Sequence, residues 1–459
     1  MIDSKLEFLI GDLKEVENLF GGGEQFNIRH LFSESENKLV NTVVVNGKSY
    51  AYGNLITPFK DEIERKRIIK RYAKLSVYKA LSALTGRVLP WGALTGIRPT
   101  KLAYQQIEEA GSFEDFFINK MKVSEEKTSL VKSILETQKG IYEKDDNNTD
   151  FFAFIPFCPS RCRYCSFICA DVKSASKYVD LYVDTLVREI EESAKFVKKL
   201  RSIYIGGGTP VALDNNNLEK VLSAIDKINT GVEYTVEAGR PDAITKENLT
   251  LLKNHGVTRI CVNPQTFNDK TLNILGRNHT SKQTEEKYML AKEFGFDINM
   301  DLIAALPEES FEDFKFSLDK AISFSPEDIT VHTLCIKRGS YLAETENRLA
   351  EGEVERMVDY ARQALESNGY NPYYMYRQKY MAGNLENVGY AKDGKACIYN
   401  IDVMEEISNN VACGANAISK FIKNGGERVE REASPKDVKT YIEKIDGILT
   451  AKSKLFELN

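Results

Sequence analysis

Residues 151–167 read FFAFIPFCPSRCRYCSF. The run Phe152–Phe157 is aromatic and β-branched and reads as a strand. Directly after it come Cys158, Cys162 and Cys165, in the spacing C-x3-C-x2-C. Four thiolates saturate a tetrahedral zinc site or a [4Fe–4S] cluster, whereas three on one tight loop leave one iron open to an exogenous chelator. A closed zinc site needs a fourth ligand close by. The nearest histidine downstream, His255, is remote in sequence, and Cys169 is the neighbouring thiol that could complete such a site.

Working outward, short β-rich runs alternate with helical ones. Further strands are predicted at Ser202–Gly206, Tyr234–Ala238, Arg259–Pro264, Asp297–Ile303 and Asp328–Leu334. Helices are predicted near Ser176–Lys199, Asn217–Ile228, Lys246–Asn254, Thr284–Phe294 and Phe311–Phe324. In the first of these Val179, Val183, Leu186, Val187 and Ile190 share one face at helical spacing. Strand-then-helix units imply a parallel sheet, because parallel neighbours need long crossovers. Six units are too few for an eightfold barrel and fit a partial barrel or an open doubly wound sheet. In both, chemistry sits at the C-terminal ends of the strands.

Those ends carry polar residues or glycine. Gly206, Gly207 and Gly208 close the second strand in YIGGGTP, Glu237 lies in YTVEAGRP, Gln265 in ICVNPQTF and Asp301 in INMDLIAALP. Without Cβ atoms a glycine run lets backbone approach a ligand. A polar group in a buried strand needs a partner or a purpose. Any one of them could be satisfying a neighbouring backbone group; four successive strand ends argue for a site.

The flanks differ. Residues 1–145 are expected to form an α+β domain with no chemical motif. Val40–Tyr52 reads as a hairpin turning at Asn46-Gly47, Asp61–Gly86 as a long helix, and Pro99 opens another. Glu143–Asp150 (EKDDNNTD) is polar and unpatterned and reads as a linker. The repeating region spans 150–340. Residues 341–459 read as a smaller α+β appendage, with a helix at Gly352–Asn368, strands at Asn371–Lys379 and Ala396–Val403, a helix starting at Gly414–Phe421 and a last helix at Pro435–Thr450. The N-terminal region is expected to cover unpaired edge strands of an incomplete barrel.

The chain has 459 residues, 42% hydrophobic and 28% charged, with a net charge of −5. Such a chain buries a sizeable core and does not bind nucleic acid through bulk charge. No apolar run approaches the roughly 20 residues that span a bilayer. The acidic start, with Asp3 and Asp12, is unlike a signal peptide, so the eight cysteines read as cytoplasmic. Cys261, Cys335, Cys397 and Cys413 fall in apolar runs and read as buried thiols.

The cysteine spacing on the loop after the first strand resembles the radical S-adenosylmethionine (SAM) superfamily, and Tyr164 before the third cysteine fits its pattern. The resemblance implies an α/β fold, a partial (β/α)6 TIM-like barrel. It implies a [4Fe–4S] cluster on Cys158, Cys162 and Cys165, whose fourth iron is chelated by SAM. One electron then cleaves a carbon–sulfur bond and releases a 5′-deoxyadenosyl radical. Gly206, Gly207, Gly208 and Thr209 resemble the superfamily's SAM-binding GGGTP element, and Glu237, Gln265, Asp301 and Arg277 of LGRNHT match further SAM contacts.

The set IPFCPSRCRYCSF, YIGGGTP, VEAGRPD, NPQTF, LGRN and MDLIAALP resembles the oxygen-independent coproporphyrinogen III oxidase-like family. PWGALTGIRPTK and YYMYRQKYMAGNLENVGYA resemble its coproporphyrinogen dehydrogenase HemZ branch. The resemblance implies oxidation of coproporphyrinogen III propionates to vinyl groups in porphyrin and haem biosynthesis, two SAM being consumed per substrate. It also implies a reduced flavodoxin or ferredoxin-type electron donor and a C-terminal domain covering the substrate. The family also contains haem chaperones and haem-modifying or methyl-transferring enzymes. The chain departs from the best-studied oxidases at Phe154, in place of His, and at Phe167, in place of a further Cys. Phe157 and Phe167 flank the cysteine loop, where they would exclude water and oxygen.

A tetrapyrrole with four propionates carries about four negative charges near neutral pH, so its pocket calls for basic residues. Arg161, Arg163, Arg240, Lys337, Arg338, Arg377 and Lys379 are candidates. Tyr370, Tyr373, Tyr374, Tyr376 and Tyr380 could form an aromatic wall or simply the packed face of a strand. His332 on the last strand reads as a core histidine or a haem ligand.

Overall fold

The computed structural model describes residues 2–20, 26–95, 98–165, 169–335, 351–378, 381–426 and 428–457. Phe167, Lys337, Arg338, Lys379 and Tyr380 lie outside the described residues. The chain forms two compact units, Met1–Lys132 with Arg377–Lys379, and Ser133–Tyr376 with Tyr380–Asn459.

In the first unit β1 (Ile2–Ser4) is followed by α1 (Ile10–Phe20), β2 (Ile28–Ser35), β3 (Lys38–Val45) and β4 (Lys48–Leu55). β2, β3 and β4 pair antiparallel, and β1 lies parallel to β2. The Asn46-Gly47 turn has φ of 49° and 83°, the left-handed pair that a two-residue hairpin requires. Leu39, Val43 and Val45 are buried on alternate positions of β3, on which α2 (Glu62–Thr85) packs. α2 starts at Asp61, whose carboxylate accepts from Glu64 N at 2.7 Å. α3 (Pro99–Ala110) follows. His30 is buried between Ser4 Oγ at 3.0 Å and Asn41 Oδ1 at 2.9 Å, and burial lowers its pKa. Arg377, a candidate for substrate carboxylates, lies instead over the Trp91 ring at 4.9 Å and donates to the Leu94 carbonyl.

In the second unit, after α4 (Glu125–Thr137), come β5 (Asn148–Ile155), the short β6 (Phe157–Cys158) and β7 (Ala170–Asp171), and α5 (Ser176–Ser193). Next are β8 (Lys199–Gly207), α6 (Asn215–Asp226), β9 (Glu233–Val236), α7 (Lys246–Asn254) and β10 (Arg259–Cys261). Then follow α8 (Asp269–Ile274), α9 (Ser281–Glu293), β11 (Asp297–Ala304), α10 (Phe311–Phe324) and β12 (Asp328–Thr333). The C-terminal part adds α11 (Glu351–Ser367), β13 (Asn371–Tyr376), β14 (Asn387–Ala391) and α12 (Ile398–Glu405). It ends with β15 (Asn409–Cys413), β16 (Ile418–Lys423), β17 (Arg428–Ala433), α13 (Val438–Glu443) and α14 (Ile445–Glu457).

The six predicted strands lie side by side and parallel, in the order β5-β8-β9-β10-β11-β12, at the centre of one 11-stranded sheet. The sheet is open, as a partial barrel demands. Its edges are occupied by the C-terminal segment: β15 pairs parallel with β5, and β14 antiparallel with β12.

Three local expectations are corrected. Asn148–Asp150 belongs to β5 rather than a linker, with distant groups meeting it inside: Ser202 Oγ donates to Asp150 Oδ1 at 2.6 Å and Asn409 Nδ2 to Asn148 O at 3.0 Å. Most of Ala396–Val403 lies in α12, not in a strand. Its first N–H groups, on Ile398 and Tyr399, donate to the Glu233 carboxylate at 3.2 and 3.3 Å, a cap supplied from 165 residues away. The expected helix from Gly414 is a loop and then β16, which pairs with β17 from Ile418↔Ala433 onward.

A buried polar knot secures β15 beside β5. Lys452 of α14 donates to Glu189 Oε1 of α5 at 2.7 Å, to Ala412 O at 2.9 Å and to Cys413 Sγ at 3.3 Å. Glu189 Oε2 also accepts from Gly414 N at 2.7 Å and Tyr441 Oη at 2.6 Å. Removing one partner of a buried pair strands the other charge. Lys452→Met is expected to destabilise the protein by about 3 kcal/mol, measured as a lowered urea midpoint. A midpoint equal to wild type would show that the pair contributes nothing.

Candidate functional site

The exits of β5 and β8 are locked together. Phe154 and Ile155 pair with Gly206 and Gly207. Beyond the strands, Gly208 N donates to Ile155 O and Thr209 N to Phe157 O, both at 2.7 Å. A Cβ on Gly208 would lie 2.5 Å from Phe157 O, and Gly207 has a φ of 109° with the Phe154 ring where a Cβ would go. Only glycine serves at both positions.

The cysteine loop leaves from this junction. β6 pairs with β7 in the register Cys158↔Asp171, bringing Cys169 back beside Cys158. Thr209 Oγ1 lies 3.6 Å from Cys158 Sγ. Farther along, Cys165 N donates to Cys162 O at 3.1 Å and Arg163 N to Leu275 O at 2.9 Å. Arg240 Nη1 donates to Ser160 O at 3.2 Å and approaches Cys162 Sγ at 3.5 Å, while Asp242 holds the guanidinium through both carboxylate oxygens at 2.8 and 2.6 Å. Arg240 is thus buried against the cysteine loop, a role its sequence context does not announce. Arg161 and Arg163 are exposed on that loop.

Arg277 is buried. It donates to Tyr164 Oη at 2.9 Å and to Asn263 O at 2.7 Å, so the Tyr beside the third cysteine is tied to the body of the sheet. Glu237 follows β9 and accepts from Tyr204 Oη at 2.7 Å and Gly207 N at 3.2 Å; burial pushes its carboxyl up. Gln265 is buried with a φ of 66° and its backbone pairs with β11, Gln265 N donating to Asp301 O at 2.9 Å. Asp301 accepts from Asn263 Nδ2 at 2.6 Å and Asn299 Nδ2 at 2.7 Å. The sequence reading missed Tyr204, Asn263 and Asn299; the even spacing of Asn299 and Asp301 along β11 was the available signal.

His332 on β12 has Nε2 at 3.7 Å from Asp301 Oδ1 and Nδ1 at 3.3 Å from Tyr376 Oη. Its ring is only partly buried, so it is not a closed core histidine. Cys261, Cys397 and Cys413 are buried as expected, whereas Cys335 is only partly so.

Among the described residues no three His, Cys, Asp or Glu side chains converge in metal-binding geometry. The donor chemistry nevertheless suits an iron–sulfur cluster: Cys158, Cys162 and Cys165 are partly exposed thiols on one loop, beside a glycine cradle that a Cβ would fill.

Residues 152–321 match the Radical SAM superfamily model. The oxygen-independent coproporphyrinogen-III oxidase-like protein HemZ of Bacillus subtilis is 34% identical over 467 residues, covering 97% of this chain and 93% of that protein. Heme chaperone HemW of Lactococcus lactis is 34% identical over 235 residues, covering 49% of this chain and 60% of its own. Among solved structures, the radical SAM enzyme coproporphyrinogen III oxidase (HemN) of Escherichia coli is similar with a TM-score of 0.54 at 20% identity, over 67% of this chain and 71% of that one, a likeness of fold. The chain belongs to the HemZ branch of the oxygen-independent coproporphyrinogen III oxidase-like family, within the radical SAM superfamily. The family's cofactors are a [4Fe–4S] cluster and SAM. Among the described residues no helix is long and apolar enough to cross a membrane.

In the cluster-free protein the hydrogen bond from Cys169 holds the Cys158 thiol down at about 7, while Cys169 itself is pushed up. Cys158 is therefore a thiolate above about pH 7. Its iodoacetamide labelling should reach half its maximal rate there, with Cys169 unlabelled, as read by peptide mass spectrometry. Cys169→Ala should move that midpoint up toward the ordinary thiol value of about 8.5. An unmoved midpoint would exclude the thiol–thiol hydrogen bond.

Proposed function

We propose that the chain catalyses oxygen-independent oxidative decarboxylation of coproporphyrinogen III, converting two propionates to vinyl groups and giving protoporphyrinogen IX. The observation that carries this reading is the similarity to HemZ along 97% of the chain, C-terminal tyrosine segment included, where the haem chaperone of L. lactis aligns over 49%. Cys158, Cys162 and Cys165 hold the cluster. Gly206, Gly207, Gly208, Thr209, Glu237, Gln265, Arg277 and Asp301 surround SAM, as their convergence on the sheet's C-terminal rim supports.

Bound to the cluster, SAM supplies a 5′-deoxyadenosyl radical for removal of a hydrogen atom from the propionate β-carbon. Loss of CO2 and of one electron to a one-electron acceptor completes each vinyl group. The chain's own part is positioning. The backbone carbonyls and N–H groups around Gly206–Gly208 allow close approach of a methionyl group. The Asp301 carboxylate accepts ribose hydroxyls, which are paired O–H donors. Glu237, buried and gripped by Tyr204, stands ready to accept from an ammonium group. A cytoplasmic setting, a reduced flavodoxin or ferredoxin-type donor, and substrate coverage by the C-terminal segment complete the reading.

A second reading, a haem-binding chaperone or a haem-modifying enzyme, is favoured by the alignments with HemW and by Phe154 at the rim. Stable stoichiometric haem binding in a visible titration, without vinyl product, would support it.

The test is anaerobic incubation with coproporphyrinogen III, SAM and a reductant. Two deoxyadenosines per protoporphyrinogen are expected. Deoxyadenosine without protoporphyrinogen would reject the substrate. Cys158→Ala, Cys162→Ala and Cys165→Ala should each lose reconstituted iron, visible absorbance and deoxyadenosine. Cys169→Ala should keep all three, because a fourth thiolate would occupy the iron that SAM needs. Loss of the metal in Cys169→Ala as well as in the other three variants would point to a closed four-ligand site.

A further inference from the structure

Arg240 enters the site from the turn after β9. Gly239, with a φ of 52°, is pinned there: its N–H donates to Cys261 O at 2.8 Å and its carbonyl accepts from Asn263 N at 3.0 Å. The arginine side chain that follows is buried, and its donors are divided between two sides. Nε and Nη2 are both spent on the Asp242 carboxylate, at 2.8 and 2.6 Å. Nη1 is left facing the cysteine loop, where it meets Ser160 O at 3.2 Å, Ser160 Oγ at 3.1 Å and Cys162 Sγ at 3.5 Å. A two-point grip on one edge of a planar guanidinium fixes the direction of the rest. The Arg240–Asp242 pair is therefore a fixed dipole with its positive end on the Cys162 sulfur and its carboxylate on the far side.

Cys158 is met differently, by the neutral hydroxyl of Thr209 at 3.6 Å. The difference matters for a cluster that takes up one electron for each SAM cleaved. The added negative charge spreads onto the thiolates. A donor hydrogen bond or a positive dipole at a thiolate sulfur favours the reduced state, and does so more strongly where water is excluded.

We propose that Arg240 raises the reduction potential of the cluster through its hydrogen bond to Cys162. This rests on the reading of Cys162 as a cluster ligand and adds the group that makes the cluster easier to reduce by a donor of given strength. It does not depend on the substrate, so it holds equally for a porphyrinogen oxidase and for another SAM-cleaving reaction at the same site.

The test is a redox titration of the reconstituted protein without SAM, followed through the electron paramagnetic resonance signal of the reduced cluster. Arg240→Met keeps the apolar stem and removes the donors. Arg240→Met combined with Asp242→Asn removes both charges together, so no carboxylate is left stranded. In the double variant the reduction equilibrium should move about tenfold toward the oxidised form, read as a midpoint about 59 mV lower. In Arg240→Met alone, with the carboxylate left beside the loop, the midpoint should fall at least as far. Iron content should stay at the wild-type level in the double variant. An unmoved or raised midpoint in a variant that keeps its cluster would overturn the proposal. So would loss of iron from both variants, which would make Arg240 a support of the loop and nothing more. Either result leaves the cysteine assignment standing. A Cys162→Ala protein that keeps the wild-type iron content and signal would remove that assignment instead.

Discussion

Two backbone hydrogen bonds, Gly208 N to Ile155 O and Thr209 N to Phe157 O, fix the distance between the ends of the first two barrel strands. Everything at the site is referred to that junction. The cysteine loop departs from one side of it and the glycine turn forms the other. A side chain on Gly208 would push against the Phe157 carbonyl and separate the two. The rest of the rim is then set by register: Glu237 reaches back to Gly207 N, and Asp301 is held by asparagines from its own strand and from the segment after β10.

The electrostatics of this rim fall into two parts. On the cysteine side the buried Arg240 brings positive charge to Cys162, and its own partner Asp242 keeps it oriented. On the opposite side, Glu237 and Asp301 are acceptors with limited solvation, suited to ammonium and hydroxyl donors. Each separate feature has an ordinary structural explanation, so the conjunction carries more weight than any residue.

Legibility in the sequence followed the range of the interactions involved. The six barrel strands and five of their helices were readable because local periodicity determines them; α7 and α10 coincide with Lys246–Asn254 and Phe311–Phe324. The Asn46-Gly47 turn and the cap at Asp61 are likewise local. Failures came where a distant group decides. α12 owes its first turn to Glu233 on β9, and the polar start of β5 is contacted by Ser202 and Asn409. At the site, glycine, cysteine and isolated strand-end acids stood out by type. Arg240 was named only among candidates for substrate carboxylates, since nothing in its neighbours distinguishes an arginine aimed at a thiol from one in solvent. The tyrosines of β13 read equally as packing or as a wall. Gly389 separates these roles along the strand, leaving Tyr374 buried and Tyr376 at the opening.

The C-terminal segment, although it lacks a chemical motif, is part of the site's construction. β9 begins with one glutamate, Glu233, and is followed by another, Glu237. Glu233 at its start caps α12 and thereby sets Tyr399. The Tyr399 ring stacks on Tyr204 with centres 4.4 Å apart and on Phe152 at 5.9 Å. Tyr204 donates to Glu237, just past the strand's other end. An aromatic column thus runs from the capped helix to the rim carboxylate, with barrel strands supplying Phe152 and Tyr204 and the C-terminal segment supplying Tyr399. Since stacked rings resist sliding in a packed interior, the orientation of Glu237 depends on residues beyond the six-stranded core. The parallel core supplies both donors to that carboxylate, Tyr204 Oη and Gly207 N, and the C-terminal segment backs the Tyr204 ring through Tyr399, so the orientation of Glu237 is a property of the two together.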